Sequence, residues 1–328
     1  MQLPIYPMNV TTDDMASSLE VVVNNLTFGV FNIVLSIATI CLNFTTIFAY
    51  IKSKVLKDKL AYLMIMMLSV NDFLVGLVSN VLFAVVLLEQ YSSRKIAPHL
   101  STIHFCFLVF FSGCSLKTLV VMSWERYAAI CHPLFHRTKV TRKRLMKCVI
   151  LLWLAALIST ILSKRFQAFF EYYIIPERLV FIILLMYFYV RIYLANLYSS
   201  KNIRSKNRIN QGSDLALWNG RRRKVMMNVN LAKSCFLAVI SFVICYLPST
   251  IAMMIKEKCG KEMQIMVEVW ATTLILLNSS LNSIVFFWRS KPLRKEVFAV
   301  ISSIFRKKER GEVDAGSKNS TNVCTSAS

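Results

Sequence analysis

Three places in this sequence put charged or polar side chains where the neighbours are apolar. Glu125 and Arg126 close a long apolar run in MSWERYAAICHPLFH, Met122 to His136. Asp72 lies inside MMLSVNDFLVGL, and Asn278, Ser279 and Asn282 lie in a run otherwise made of Leu, Ile, Val and Phe. An adjacent Glu-Arg pair at the edge of an apolar environment has two chemistries open to it. It is an anchor, or it is a switch whose partners can exchange at small free-energy cost. A lone carboxylate in apolar surroundings takes up a proton or gathers donors and cations. Asp72, Ser115, Asn278 and Asn282 together offer oxygen ligands suited to a small cation. Without an ion they make a hydrogen-bonded polar core.

The elements that must position these residues are membrane helices. Of 328 residues, 56% are hydrophobic and only 17% charged, and the apolar ones are gathered into blocks. Phe28 to Tyr50 is 23 residues without a charge, Ser234 to Ile255 is 22 and Val269 to Trp288 is 20. A helix crossing the hydrocarbon core needs roughly 20. Seven blocks fall near 28–51, 60–88, 99–124, 145–163, 171–198, 230–255 and 266–288. The fifth is the least regular, because Arg191 follows a clean stretch of only Leu179 to Val190. The expected fold class is an all-α membrane protein, a seven-transmembrane helix bundle. Residues 1–27 form an outer tail, 28–288 the bundle, 289–306 an amphipathic eighth helix and 307–328 a disordered cytoplasmic tail.

The net charge of +22 is not a nucleic-acid signature, because its placement is one-sided. Lys52, Lys54, Lys57 and Lys59 follow the first block. Six basic residues lie between Arg137 and Lys147, eight between Lys201 and Lys224, and eight between Arg289 and Arg310, giving 26 of the 39 on one side. Positive charge marks cytoplasmic loops, so the amino end is expected outside and the carboxyl end inside. These basic loops face acidic lipid headgroups. Residues 1–27 hold no Lys or Arg, so the first helix is expected to act as a signal anchor rather than a cleaved leader. Asn9 and Asn25 head sequons in this tail and are candidate glycosylation sites. Only Cys259 falls clearly in an outer loop, so no extracellular disulfide is expected. A transporter would use Asp72 and Lys117 as intramembrane charges, but no repeated half is visible and seven crossings divide badly into two.

Read as a helix, the third block brings Leu108, Ser115, Leu119, Met122 and Arg126 near one face, which turns into the bundle. Lys117 is two residues past Ser115 and points elsewhere, to a neighbouring helix or to lipid. It must snorkel or find an oxygen partner.

In combination these residues resemble the rhodopsin-like G-protein-coupled receptors from Asn43 to Phe305. Asn43 in CLNFTTI, Asp72 in LSVND, Glu125-Arg126-Tyr127, Trp153, Tyr189, Phe242 with CYLP at Cys245 to Pro248, and NSIVF at Asn282 to Phe286 resemble the family's motifs in order and spacing. KPLRKEVFAVISSIF follows as the eighth helix. The resemblance implies a receptor and not an enzyme. A heterotrimeric G protein is its partner, in the plasma membrane. In that reading Glu125 holds Arg126 at rest, and agonist binding swings the sixth helix outward. Arg126 is then freed toward Tyr189, with Tyr127, Asn282 and Phe286 part of the switch. Asn43, Asp72, Ser115, Asn278, Ser279 and Asn282 form the polar core, with sodium as an allosteric ion and no other cofactor. The Ser/Thr-rich tail is either an arrestin site or a bare linker.

The chain departs from the family pattern at several positions. Tyr246 stands for the usual tryptophan, Ser283 for the proline that breaks the seventh helix, Phe286 for a tyrosine, Phe181 for the fifth-helix proline and Asn228 for an acid. Leu108 replaces the aspartate of aminergic receptors, and Leu276 the lysine of opsins. Ser101 replaces the third-helix cysteine, and about seven residues separate the fourth and fifth blocks. These features resemble the melanocortin, cannabinoid and lysophospholipid group, and the seventh helix also resembles the adenosine receptors. ERYAAICHPL is similar to odorant receptors, so a chemosensory receptor is the alternative. Phe105, Leu108, Phe111, Ser112, Tyr246, Met253 and Leu276 are expected to line the ligand pocket. Their apolar character favours a small lipophilic ligand, or a peptide, over a highly charged one.

Overall fold

The computed structural model describes residues 12–93, 98–166, 169–206, 236–252, 260–299 and 302, and every element described is helical. Six helices are long and apolar enough to cross a membrane: Val22–Lys52, Leu60–Ser92, His99–Cys131, Arg142–Arg165, Tyr172–Ala195 and Met263–Arg289. These are the first to fifth and the seventh spans. Of the sixth, the structure describes Phe236–Ala252. The apolar blocks therefore mark the spans, while the helices run past them into polar sequence at several ends. Arg191 does not break the fifth helix, which continues to Lys206 with the Arg191 side chain exposed.

The first helix begins at Thr12. The expected outer tail of 1–27 is thus helical over its second half, with no Gly or Pro between Thr12 and Thr27 to stop it. Two short inner helices connect the spans. Lys54–Lys57 is capped by Ser53, whose hydroxyl accepts from the Leu56 amide at 3.2 Å. Pro133–Lys139 starts on proline, which suits a first turn because its missing N–H would be unpaired there. Past Arg289, residues 291–299 form a further helix. Leu293 and Val297 are buried on one side of it and Phe298 is exposed, the pattern expected of the eighth helix. Ser290 accepts from the Leu293 amide and meets the Tyr62 hydroxyl at 2.9 Å, fastening this helix to the second span.

The third span is the hub and packs on the second, fourth and fifth, while the first packs on the second and seventh. Much of the fourth and fifth spans faces outward with Leu151, Leu157, Ile161, Val180 and Ile183 exposed. That is the surface expected where lipid, not water, is the neighbour.

The second span carries a feature the residue pattern did not announce, a π-helical segment at Val75–Asn80. A wide turn of this kind inserts one residue and turns the following half of the helix. Here it buries Ser79 and Asn80 and brings the Gly76 backbone against the first span. The Gly76 carbonyl accepts from Ser36 Oγ at 2.7 Å. A Cβ at this glycine would stand 3.0 Å from Ile40 and 3.1 Å from Thr39. Thr39 is itself held by a 2.7 Å bond to the Leu35 carbonyl and a 2.5 Å bond to Ser280. Small residues at helix contacts permit this approach. Gly76→Val is therefore expected to destabilise the bundle by about 1–3 kcal/mol through overpacking, read as a lower melting temperature of the purified protein.

Candidate functional site

At the inner end of the third span, Glu125 is fully buried and Arg126 nearly so. Arg126 donates from both Nε and Nη2 to the Glu125 carboxylate, the Nε bond being 2.5 Å. A bidentate pair is the strongest geometry available to these two groups. A third partner completes it: His136 Nε2 lies 2.7 Å from Glu125 Oε1. His136 comes from the short Pro133–Lys139 helix, so the second inner loop is tied to the same carboxylate that holds the arginine. Tyr127 stacks on Phe188 and meets His132 at 3.1 Å. The Tyr189 hydroxyl is 3.1 Å from Ser123 Oγ, one turn before Arg126 on the same helix. Phe286 is buried.

Midway across, the Asp72 carboxylate is fully buried and collects three donors. They are Ser115 Oγ at 3.2 Å, Ser279 Oγ at 2.9 Å and Asn282 Nδ2 at 3.0 Å. Asn71 donates to Ser115 at 2.7 Å and to the Phe111 carbonyl at 3.2 Å, joining the second and third spans again. Asn43 donates to the Thr39 and Ser279 carbonyls and accepts from Ser283 Oγ at 2.5 Å. Ser283 therefore supplies a hydrogen bond to Asn43 at a position where proline has none to give. Asn278 is not in this network. It is completely buried, and neither atom of its amide has a partner among the described residues; the same holds for Asn282 Oδ1.

Above the core lies a narrow gap of only about 10 Å³. Leu108, Phe111, Ser112, Tyr246 and Leu276 line it, joined by Val75, Ser79, Ser115, Ile275 and Ser279. Ser115 and Ser279 face both the cavity and Asp72, so one wall serves both. Tyr246 is held by a parallel stack on Phe242 with centroids 3.9 Å apart. Phe105 is half-buried and is not among these lining residues, and Met253 lies outside the described residues, as do Asn9, Asn228 and the carboxyl tail. Asn25, the second sequon residue, is buried in the first helix, with Nδ2 donating to Gln90 at 3.2 Å.

The fifth span supplies two charges that periodicity left unassigned. Lys117 finds its oxygen partner in Glu177, with Nζ 3.0 Å from Oε1 and 3.1 Å from Oε2, and lies over the Phe181 ring. Arg178, the next residue, donates to Ser112 Oγ at 2.8 Å and stands 5.7 Å over the Tyr246 ring. His136, Glu177 and Arg178 are thus the site residues that motif spacing missed. The only signal for Glu177 and Arg178 was their charge next to the irregular fifth block.

Comparison with known proteins gives the family context. Residues 42–286 match the family model described as 7 transmembrane receptor (rhodopsin family). Cannabinoid receptor type 1B of Takifugu rubripes is 24% identical over 305 residues, covering 85% of this chain and 62% of that protein. Cannabinoid receptor 1 of Xenopus laevis is 25% identical over 304 residues, 85% of this chain and 63% of that one. The chain thus spans under two thirds of the length of these relatives. A shorter match, 38% over 55 residues and 17% of this chain, links it to olfactory receptor 4L1 of Homo sapiens.

The Lys117–Glu177 pair generates a direct test. Breaking one side of a buried pair strands a charge, whereas replacing both by apolar groups can be neutral. Lys117→Met or Glu177→Leu alone should each cost about 3 kcal/mol, and the double variant should melt close to the parent. Equal losses for the single and double variants would show that the pair carries no such coupling.

Proposed function

This chain belongs to the rhodopsin family of seven-transmembrane receptors, and on that premise we propose that it converts binding of an extracellular ligand into activation of a heterotrimeric G protein. The amino end lies outside the plasma membrane. The observation that carries the reading is the buried Glu125–Arg126–His136 cluster at the inner end of the third span. The bidentate bond of Arg126 goes to a neighbour on its own helix, so that bond can be exchanged without breaking the bundle. Once freed, it can turn toward Tyr189, already hydrogen-bonded one turn away to Ser123. The two arrangements differ by few enough bonds that a ligand's differential affinity can shift their populations.

His136 sets the depth of the resting state. A hydrogen bond to a charged group contributes about 1.5–3 kcal/mol, so its loss loosens the carboxylate that restrains Arg126. The second inner loop then becomes part of the restraint. The Ser/Thr-rich carboxyl tail is proposed as an arrestin site, by phosphorylation.

The polar core fits a sodium ion. Asp72 supplies the charge, and the Ser115 and Ser279 hydroxyls and the partnerless Oδ1 atoms of Asn278 and Asn282 supply further oxygens. Asn278 and Asn282 are one helical turn apart, on one side of the seventh span. Such an ion would neutralise a buried carboxylate at the wall shared with the ligand cavity. The relatives named for cannabinoids and the apolar lining of Leu108, Phe111 and Leu276 both support a lipophilic ligand.

With surface expression matched, dissociation of each G-protein class in turn tests the coupling. Arg126→Ala should abolish it, and unchanged dissociation in that variant sinks the proposal. His136→Ala should raise ligand-independent dissociation by about tenfold or more, tenfold being the equivalent of roughly 1.4 kcal/mol. For the ion, exchanging choline chloride for sodium chloride at constant ionic strength should raise the melting temperature of the parent and leave Asp72→Asn flat.

A further inference from the structure

Tyr246, standing where the receptor pattern has a tryptophan, is held from two directions. Its parallel stack on Phe242, one turn earlier in the sixth span, brings the ring centroids within 3.9 Å. The guanidinium of Arg178 reaches across from the fifth span and lies 5.7 Å over the same ring. A guanidinium is drawn to the negative face of an aromatic ring, most strongly where water is excluded, and Tyr246 is buried. Arg178 also donates to Ser112 Oγ on the third span at 2.8 Å. One side chain therefore ties three spans together.

On the side of the third and fifth spans the attachment is firm. Ser112 Oγ is oriented by its own bond to the Val109 carbonyl at 3.0 Å. Glu177, the residue before Arg178, is bonded to Lys117 and is also a favourable electrostatic neighbour of Arg178. The cation thus has an acid beside it, and the fifth span is held to the third at the height from which it projects. The attachment to the sixth span is different in kind, since the ring can leave the cation without any hydrogen bond of Arg178 being broken. Two further contacts bracket Tyr246 along that span. Toward the inner end Phe236 packs on Tyr189 with centroids 5.2 Å apart, and one turn past Tyr246 Ser249 donates to the Ala271 carbonyl of the seventh span at 2.9 Å. Tilting the inner end away from Tyr189 about the Ser249 contact carries the Tyr246 ring off Arg178.

We propose that Arg178 is a positioning residue for activation: acting through Tyr246, it holds the sixth span in its resting place, and the inner face opens only as the ring leaves the cation. This rests on the receptor reading above and adds a second restraint, remote from the Glu125 cluster. The gap bounded by Tyr246 has room for about one water. Any larger molecule that enters there must displace the ring, and in doing so lifts the restraint.

The test uses the full-length chain purified in detergent, with a fluorophore carried at Phe236, where Tyr189 quenches it on contact. Arg178→Met keeps a long side chain and removes the charge. It should relieve the quenching and, in cells with surface expression matched, raise Arg126-dependent, ligand-free G-protein dissociation about tenfold, the scale of a desolvated cation–ring contact. Arg178→Lys, which keeps a cation, should restore most of the restraint by both readouts. A loss of packing alone would not follow the charge of the ring face, so the ring is varied next. Starting from Tyr246→Phe, successive fluorination drains the negative face of the ring at nearly constant shape. Each fluorine should relieve the quenching further while Arg178 is present and change nothing in Arg178→Met. Quenching unchanged in Arg178→Met, equal relief in the Lys and Met variants, or a fluorine series that is flat with Arg178 in place overturns the proposal. That series leaves Arg178 untouched, so it decides the matter even if Arg178→Met does not fold. Since quenching is read without a G protein, relief that follows the ring charge in a chain that dissociates no G protein supports the restraint and refutes the receptor reading instead.

Discussion

Inside a bilayer no water waits to satisfy a stray polar group, so each one must be answered by the protein itself. The Asp72 carboxylate depends on this most. Its three donors come from the third and seventh spans, and its own helix is bound to the third again through Asn71. Asn43 extends the network from the first span to the seventh. Four helices thus converge on one polar layer, and the apolar packing above and below is organised around it. Replacing that layer by hydrocarbon would leave a bundle with less reason to prefer one arrangement over its neighbours.

Because those groups sit at fixed depths, much of the architecture was legible in residue order alone. Runs of 20 or more uncharged residues mark the spans, and the asymmetry of Lys and Arg orders their ends. The polar residues inside the runs point to the core: Asp72, Ser115, Ser279 and Asn282 do come together. Asn278 was expected in the same network, and its amide has no hydrogen-bond partner among the described residues, because spacing along one helix says on which side a group lies and not which neighbour it bonds.

What was not legible depends on contacts between helices distant in sequence. Lys117 looked anomalous only because its partner, Glu177, is 60 residues away on a span whose own boundaries were blurred by charge. His136 sits in a helix too short to leave a periodic trace, yet it supplies one of the contacts to Glu125. The π-helical stretch at Val75–Asn80 is invisible to any fixed period, since it is the period itself that changes there. Each of these is a tertiary effect acting on a locally ambiguous sequence.

The Lys117–Glu177 pair also bears on movement. A charge pair enclosed by lipid and protein cannot open without exposing two ions to hydrocarbon, so the third and fifth spans are riveted at that height. The lower portion of the fifth span meets the third through the Tyr189–Ser123 hydrogen bond and the Phe188–Tyr127 stack, contacts between neutral groups that open at less cost. With Phe181 in place of a proline, the fifth helix has no built-in bend just below the rivet. The rivet then acts as the fulcrum of a lever, with a short arm toward the start of the fifth helix and a long one toward Tyr189 and Arg191. A small displacement near Arg178 is thereby magnified at the far end of the helix.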